Sequence, residues 1–270
     1  MKYFTLNNGL EIPALGFGMY KADFEAVKIA IENGGKYFDT ASFYNTEKFL
    51  GDALKFTNTN REKIFIASKI WKSEMGYENS IAAFNRTLEN LGTNYLDVYM
   101  IHWPDKDPKI NLETWRAMEE LYFQGKIKAL GLSNFLPYHA EEIIKNCKVM
   151  PSVAQIEFHP GHTQTFTLNY FREKNILVQA WSPLARGRIF DDELICSLSE
   201  KYNVSKAQIC LRFCIQENVM PLPRASLKVE RDKEYFASFE FEIDKYDMSR
   251  LENMPPLGWG GEHPDRTRLK

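Results

Sequence analysis

Phe38-Asp39-Thr40-Ala41-Ser42-Phe43-Tyr44 is the stretch whose reading decides the fold. A short apolar strand ends on an acid, and a tyrosine follows on the next loop. Two more polar residues close runs of the same kind. Lys69 ends Ile64-Phe65-Ile66-Ala67-Ser68-Lys69, and His102 ends Leu96-Asp97-Val98-Tyr99-Met100-Ile101-His102. Asp39, Lys69 and His102 therefore recur about every thirty residues, the length of one βαβ unit.

Outward from this core, strand-like and helix-like stretches alternate. Residues 3–12 read as a hairpin around the turn signal Asn7-Asn8-Gly9, and Pro13 ends it. Leu15-Gly16-Phe17-Gly18 reads as a first core strand. Helical spacing of apolar residues marks 24–33, 46–56 and 80–91, the last with Ser80 as its expected cap and Gly92 after it. Further helices are expected over 112–123, from Pro137 to about Cys147, and over 166–173, 191–201, 205–216 and 229–236, with an extra one at 244–251. Strands are expected within 127–133, 153–156, 176–181 and 219–222, and a loop tail from Pro255. About eight strand–helix units result, with no linker and no repeat. Alternation predicts a parallel sheet. Eight units at this length favour a closed (β/α)₈ barrel, an α/β TIM barrel with an N-terminal β-hairpin and an extra C-terminal helix, over an open doubly wound sheet. The expectation is one domain over residues 1–270.

Composition narrows the function classes. The 270 residues carry a net charge of −2 and 44% apolar side chains. There is no bulk basic field for nucleic acid and no apolar run of membrane-spanning length, and the stretch Met1 to Leu10 shows no secretory apolar run. Cys147, Cys196, Cys210 and Cys214 form no Cys-x-x-Cys pair, and free thiols suit a reducing compartment. A cytoplasmic protein is expected. The five histidines show no metal-ligand spacing, so no metal is expected. Gly16-Phe17-Gly18 with Asp39 downstream imitates a dinucleotide fingerprint, but the third glycine position holds Lys21.

In a barrel of this kind the active site lies at the C-terminal ends of the strands. Asp39, Lys69 and His102 should ring that mouth, with Tyr44 folding over it. A buried lysine needs an anion, which Asp39 supplies. A nearby ammonium should lower the Tyr44 pKa toward a range useful for general acid catalysis. His102 would direct a substrate oxygen or share the proton. Singly, each has an ordinary structural reading: a helix cap, a solvated strand end, a core ring, a hydrogen-bonded core histidine.

Taken together the ordered motifs resemble the aldo-keto reductase family. They include Phe38-Asp39-Thr40-Ala41 with Tyr44 and Glu47, Ser68-Lys69, Ile101-His102-Trp103-Pro104, Gly131-Leu132-Ser133-Asn134-Phe135, Gln155-Ile156-Glu157-Phe158-His159-Pro160 and Trp181-Ser182-Pro183-Leu184-Ala185-Arg186-Gly187. The short length is similar to the microbial branch that includes the 2,5-diketogluconate reductases. The resemblance implies a barrel that binds NADPH and transfers its hydride to an aldehyde or ketone, with Tyr44, Asp39, Lys69 and His102 as the catalytic tetrad. It implies that Ser133, Asn134 and Gln155 hold the nicotinamide carboxamide and that Trp181 stacks on the ring. Ser182 and Leu184 would follow the pyrophosphate. Arg224, Ser226 and Arg231 would meet the 2′-phosphate, with Glu234 near the adenine. Arginine forks suit phosphate in their own right. Tyr20, Phe43, Trp71, Trp103 and Trp259 would line an apolar substrate pocket. Partners expected are a small carbonyl substrate only, with the chain a monomer.

Three departures stand out. Asn45-Thr46 replaces the usual Gly-Asn after the tyrosine, Arg224-Ala225-Ser226 replaces the usual Lys-Ser, and Tyr20 stands where the family has tryptophan. The alternatives are a non-catalytic cofactor-binding or structural relative on the same barrel, and a barrel hydrolase. The latter lacks a metal set and a nucleophile elbow.

Overall fold

A computed structural model describes residues 2–266. Its centre is an eight-stranded parallel sheet in strictly sequential order. The strands are Phe17–Gly18, Tyr37–Asp39, Phe65–Ile70, Leu96–Ile101, Ile127–Ser133, Val153–Glu157, Leu177–Trp181 and Met220–Leu222. First meets last through a parallel bridge between Gly18 and Arg224. Gly16 N donates to Pro221 O (3.2 Å), Gly18 N to Pro223 O (2.8 Å) and Ala225 N to Gly18 O (3.0 Å). The sheet thus curls into a (β/α)₈ barrel, with helices between successive strands.

The strands read as apolar runs because both faces are covered, one by helices and one by the barrel interior. Inside, Tyr37, Val98, Met100, Ala129, Val153, Met220 and Leu222 form one cluster with Leu6 and Ile12. The last two come from the hairpin Tyr3–Thr5 and Glu11–Pro13. Asn7 donates to Pro151 O (2.8 Å) and Asn8 to Lys128 O (2.9 Å), just before or at the start of two strands. The hairpin therefore plugs the N-terminal end of the barrel and leaves the other end for chemistry. Gly16 is dictated by the same packing: a Cβ there would stand 2.5 Å from Tyr37 Cδ1.

Two helix starts differ from expectation. The helix expected from Ser80 runs Tyr77–Leu91 and is entered through Gly76 at φ 98°, so Ser80 lies inside the helix and is not its cap. The helix expected from Leu112 begins at Pro108 with Asp107 as cap. Proline is tolerated at a first helical position because no carbonyl awaits its missing N–H. The extra helix is Lys245–Glu252, capped by Asp244. Among the described residues no helix is long and apolar enough to cross a membrane.

Candidate active site

The C-terminal mouth gathers Asp39, Lys69, His102 and Tyr44. Asp39 ends the second barrel strand, Lys69 sits near the end of the third, and His102 follows the fourth. Lys69 is wholly buried and Asp39 nearly so. Lys69 Nζ donates to Asp39 Oδ2 (2.6 Å) and to Thr40 O (2.9 Å). Burying an unpaired ammonium would be costly, and these acceptors offset that cost. The Lys69 ammonium also lies 4.9 Å from the centroid of the Tyr44 ring. Tyr44 closes a single 3-10 turn, Ser42–Tyr44, and Asn45 after it is left-handed at φ 56°. Asparagine accepts that conformation as glycine does, so this departure from the family pattern preserves the turn. Thr46 hydrogen bonds Thr40 through their hydroxyls (2.9 Å).

Tyr44 Oη and His102 Nε2 are 3.2 Å apart. Burial, and then the Lys69 charge, hold the His102 pKa well below its ordinary value. The imidazole is therefore neutral near pH 7. Its Nδ1 is buried without a partner, so the Nε2 edge facing Tyr44 is the one available for hydrogen bonding. Burial, and then the charges of Asp39 and Tyr20, raise the Tyr44 pKa well above the ordinary phenol value. This reverses the expected lowering by Lys69. At 2.6 Å from Asp39, the ammonium is largely neutralised, and the phenol meets a pair rather than a bare cation. Tyr44 stays protonated at neutral pH.

The His102 shift has a consequence for stability. Its folded pKa lies below the unfolded value of about 6.5, so the unfolded chain binds more protons under that pH. Stability should fall as pH drops below about 6.5. Urea unfolding of His102→Gln between pH 7 and pH 5 should show a flatter decline than the parent; equal slopes would contradict the burial of a neutral imidazole.

The remaining expected site residues divide. Asn134 is left-handed at φ 62°. Its Nδ2 donates to His102 O (2.9 Å) and Ser133 Oγ (3.0 Å), while Trp181 Nε1 donates to its Oδ1 (2.8 Å). Asn134 thus braces three site residues, and both its N–H donors are engaged. Gln155 Nε2 donates to Asp39 Oδ1 (2.8 Å), and Gln155 Oε1 has no protein donor among the described residues. Ser182 is left-handed at φ 49° and begins, with Leu184, the irregular segment after the seventh strand. Arg224 leaves the eighth strand, and Arg231 lies in the helix Val229–Ala237. Neither has an ion-pair partner among the described residues. Burial pushes the Tyr235 hydroxyl up to about 12, with both arginines opposing. Ser226 Oγ accepts from Lys228 N (3.2 Å). Glu234 Oε1 accepts from the Ser205 hydroxyl, which orients it toward the neighbouring helix start.

The aromatics form an arc of rings. Tyr20 lies 5.1 Å from Tyr44, Tyr44 5.3 Å from His102, His102 5.1 Å from Trp71, and Trp71 stacks on Phe43 at 3.9 Å. Tyr20 and Phe43 are exposed, whereas Trp103 is buried. Trp259 stands apart from the arc, 6.4 Å from His162. Its loop is pinned where Gly260 N donates to Glu157 Oε2 (3.0 Å) and Leu257 N to Gly161 O (2.9 Å). Further along, Tyr138 donates to Asp265, and His139 pairs with it at 3.2 Å.

Sequence reading missed Gln179 and Tyr37. Gln179 donates to Tyr37 Oη (2.8 Å), and Gln155 donates to Gln179 Oε1 (3.2 Å). Strand alternation was the available signal: Gln179 shares the inward face of its strand with Trp181, and Tyr37 shares that of Asp39.

A barrel with a buried Lys–Asp pair, a protonated phenol and a neutral imidazole at its mouth defines a class of enzyme suited to proton transfer at an oxygen. The sequence profile of the Aldo/keto reductase family matches residues 18–255, and the chain belongs to that family of carbonyl-reducing oxidoreductases. It is similar to glyoxal reductase of Bacillus subtilis (strain 168), 41% identical with 96% of this chain and 95% of that protein covered. It is 36% identical to 9,11-endoperoxide prostaglandin H2 reductase of Trypanosoma cruzi (strain CL Brener), over 97% and 94% of the two chains. An aldo-keto reductase enzyme from a Medee basin deep-sea metagenome library superposes with a TM-score of 0.94 at 35% identity, over 99% and 100%. An aldo-keto reductase complexed with NADPH does so with 0.89 at 28%, over 97% and 90%.

Proposed function

We propose that this protein is an NADPH-dependent reductase of aldehydes and ketones, working as a single cytoplasmic barrel domain and as a monomer. The observation that carries the reading is the Tyr44 hydroxyl 3.2 Å from His102 Nε2, with the Lys69–Asp39 pair beneath its ring. Tyr44 donates the proton to the carbonyl oxygen, a role that typically contributes about 10²–10⁴ in rate. Neutral His102 orients that oxygen through Nε2. Lys69 is poised to stabilise the phenolate left behind, and Asp39 keeps Lys69 charged in its dry site. The raised Tyr44 pKa keeps the group in the phenol form, the form that can donate a proton to a carbonyl oxygen.

The residues fit a reduced nicotinamide dinucleotide phosphate. Gln155 Oε1 has no protein donor among the described residues, the Ser133 hydroxyl is adjacent, and the partly exposed Trp181 ring is tethered to Asn134. Ser182 and Leu184 lie on the segment where the pyrophosphate would run. Arg224 and Arg231, neither with an ion-pair partner among the described residues, suit the 2′-phosphate. When bound, this group supplies the hydride. A relative named glyoxal reductase and the arc of aromatic rings make small dicarbonyls and aromatic aldehydes the first substrates to try. The reading is tested by loss of reduced-nicotinamide absorbance across such a panel. Tight NADPH binding without turnover on any carbonyl would point instead to a non-catalytic relative.

Arg231→Ala should weaken NADPH by about 10- to 100-fold, the range for hydrogen bonds to charged groups, and leave NADH nearly unchanged. Equal losses in fluorescence titrations with both would displace the 2′-phosphate from this arginine.

A further inference from the structure

We infer that Gln179 and Tyr37 are positioning residues that hold the Gln155 amide in the orientation Asp39 sets, with Oε1 toward the barrel mouth. The inference rests on the proposal that Gln155 holds the nicotinamide carboxamide. All four residues of the chain Asp39, Gln155, Gln179 and Tyr37 are buried, with Gln179 and Tyr37 at 0% exposure. Gln155 and Gln179 are register partners on adjacent strands, and Gln179 is the register partner of Met220 on the next.

The hydrogen-bond directions propagate from one charge. An ionised Asp39 only accepts, so Gln155 must turn Nε2 toward Asp39 Oδ1 (2.8 Å). The second N–H of that amide finds Gln179 Oε1 at 3.2 Å. Gln179 is then bound to turn its own Nε2 the other way, to Tyr37 Oη at 2.8 Å and Met220 Sδ at 3.3 Å. Reversing Gln155 would set oxygen against oxygen at both contacts. Reversing Gln179 would set its amide nitrogen against that of Gln155. In a buried interior no water repairs such a mismatch. The far end of the chain is built for its occupant, because Gly16 has no Cβ to collide with the Tyr37 ring. With both N–H groups held, Gln155 presents only Oε1 to a ligand, an acceptor for a carboxamide N–H.

The test compares binding of NADPH with binding of 2′-phospho-ADP-ribose, which lacks the nicotinamide, by fluorescence titration and calorimetry. Gln155→Leu is the reference. Gln179→Leu should weaken NADPH by about fivefold to tenfold and leave the fragment unchanged. Tyr37→Phe, which removes one hydroxyl and guards against a folding failure of the first variant, should weaken NADPH by about two- to threefold with the fragment again unchanged. A purely structural role would lower the unfolding midpoint without separating the two ligands. If Gln155→Leu weakens NADPH selectively but neither Gln179→Leu nor Tyr37→Phe does, the inference is overturned and the carboxamide reading survives. If Gln155→Leu itself leaves NADPH affinity intact, both fall together.

Discussion

Tyr44→Phe is expected to lose about 10²- to 10⁴-fold in kcat while binding NADPH within about twofold of the parent. The substitution removes one oxygen and keeps the ring. Its contacts with Tyr20 at 5.1 Å and with the Lys69 ammonium at 4.9 Å should therefore persist. What disappears is the hydroxyl whose oxygen lies 3.2 Å from His102 Nε2. The loss should appear in kcat and kcat/KM alike, because the proton transfers only as the reaction proceeds. Stopped-flow and steady-state rates on one good aldehyde would check it. Turnover within a few-fold of the parent would show that another group, or water, acts as the acid.

Lys69→Met should abolish most turnover and also destabilise the fold. Removing one member of a buried ion pair typically costs about 3–5 kcal/mol. Here Asp39 would keep only the Gln155 amide, at 2.8 Å. Burial would then push the carboxyl pKa above its unfolded value of about 3.9, so the folded variant would hold a proton that the unfolded chain releases. A raised folded pKa contributes stability below the unfolded pKa that is lost as pH rises through the folded one. Urea unfolding should thus show the variant losing ground to the parent between pH 5 and pH 8. The double variant Asp39→Asn/Lys69→Met should recover much of the stability and none of the turnover. A single variant as stable as the parent at pH 8 would mean that the pair is not desolvated as the structure has it.

Much of this molecule was legible before any coordinates. Alternation of buried strands with amphipathic helices implies a parallel sheet, and eight such units at this length favour a closed barrel over an open sheet. Asp39, Lys69 and His102 were legible as mouth residues because a strand's end is a local property of its sequence. The helix starts at Tyr77 and Pro108 were misjudged because each depends on loop geometry, Gly76 at φ 98° and the Asp107 cap. The sign of the Tyr44 shift was misjudged for a deeper reason. Sequence already sets Asp39 against the ammonium, but only the fold reveals that the phenol itself is dry, so that burial and then the Asp39 charge outweigh the cation.

By itself, then, the order of residues determined the strands, their sequence around the barrel and the polar groups at their ends, since these follow from periodicity along the chain. The tertiary structure alone decided which of those groups touch, which atoms remain without partners, and which charge prevails at the phenol. Those outcomes depend on distances between strands remote in sequence and on the exclusion of water, and neither is encoded in any single stretch.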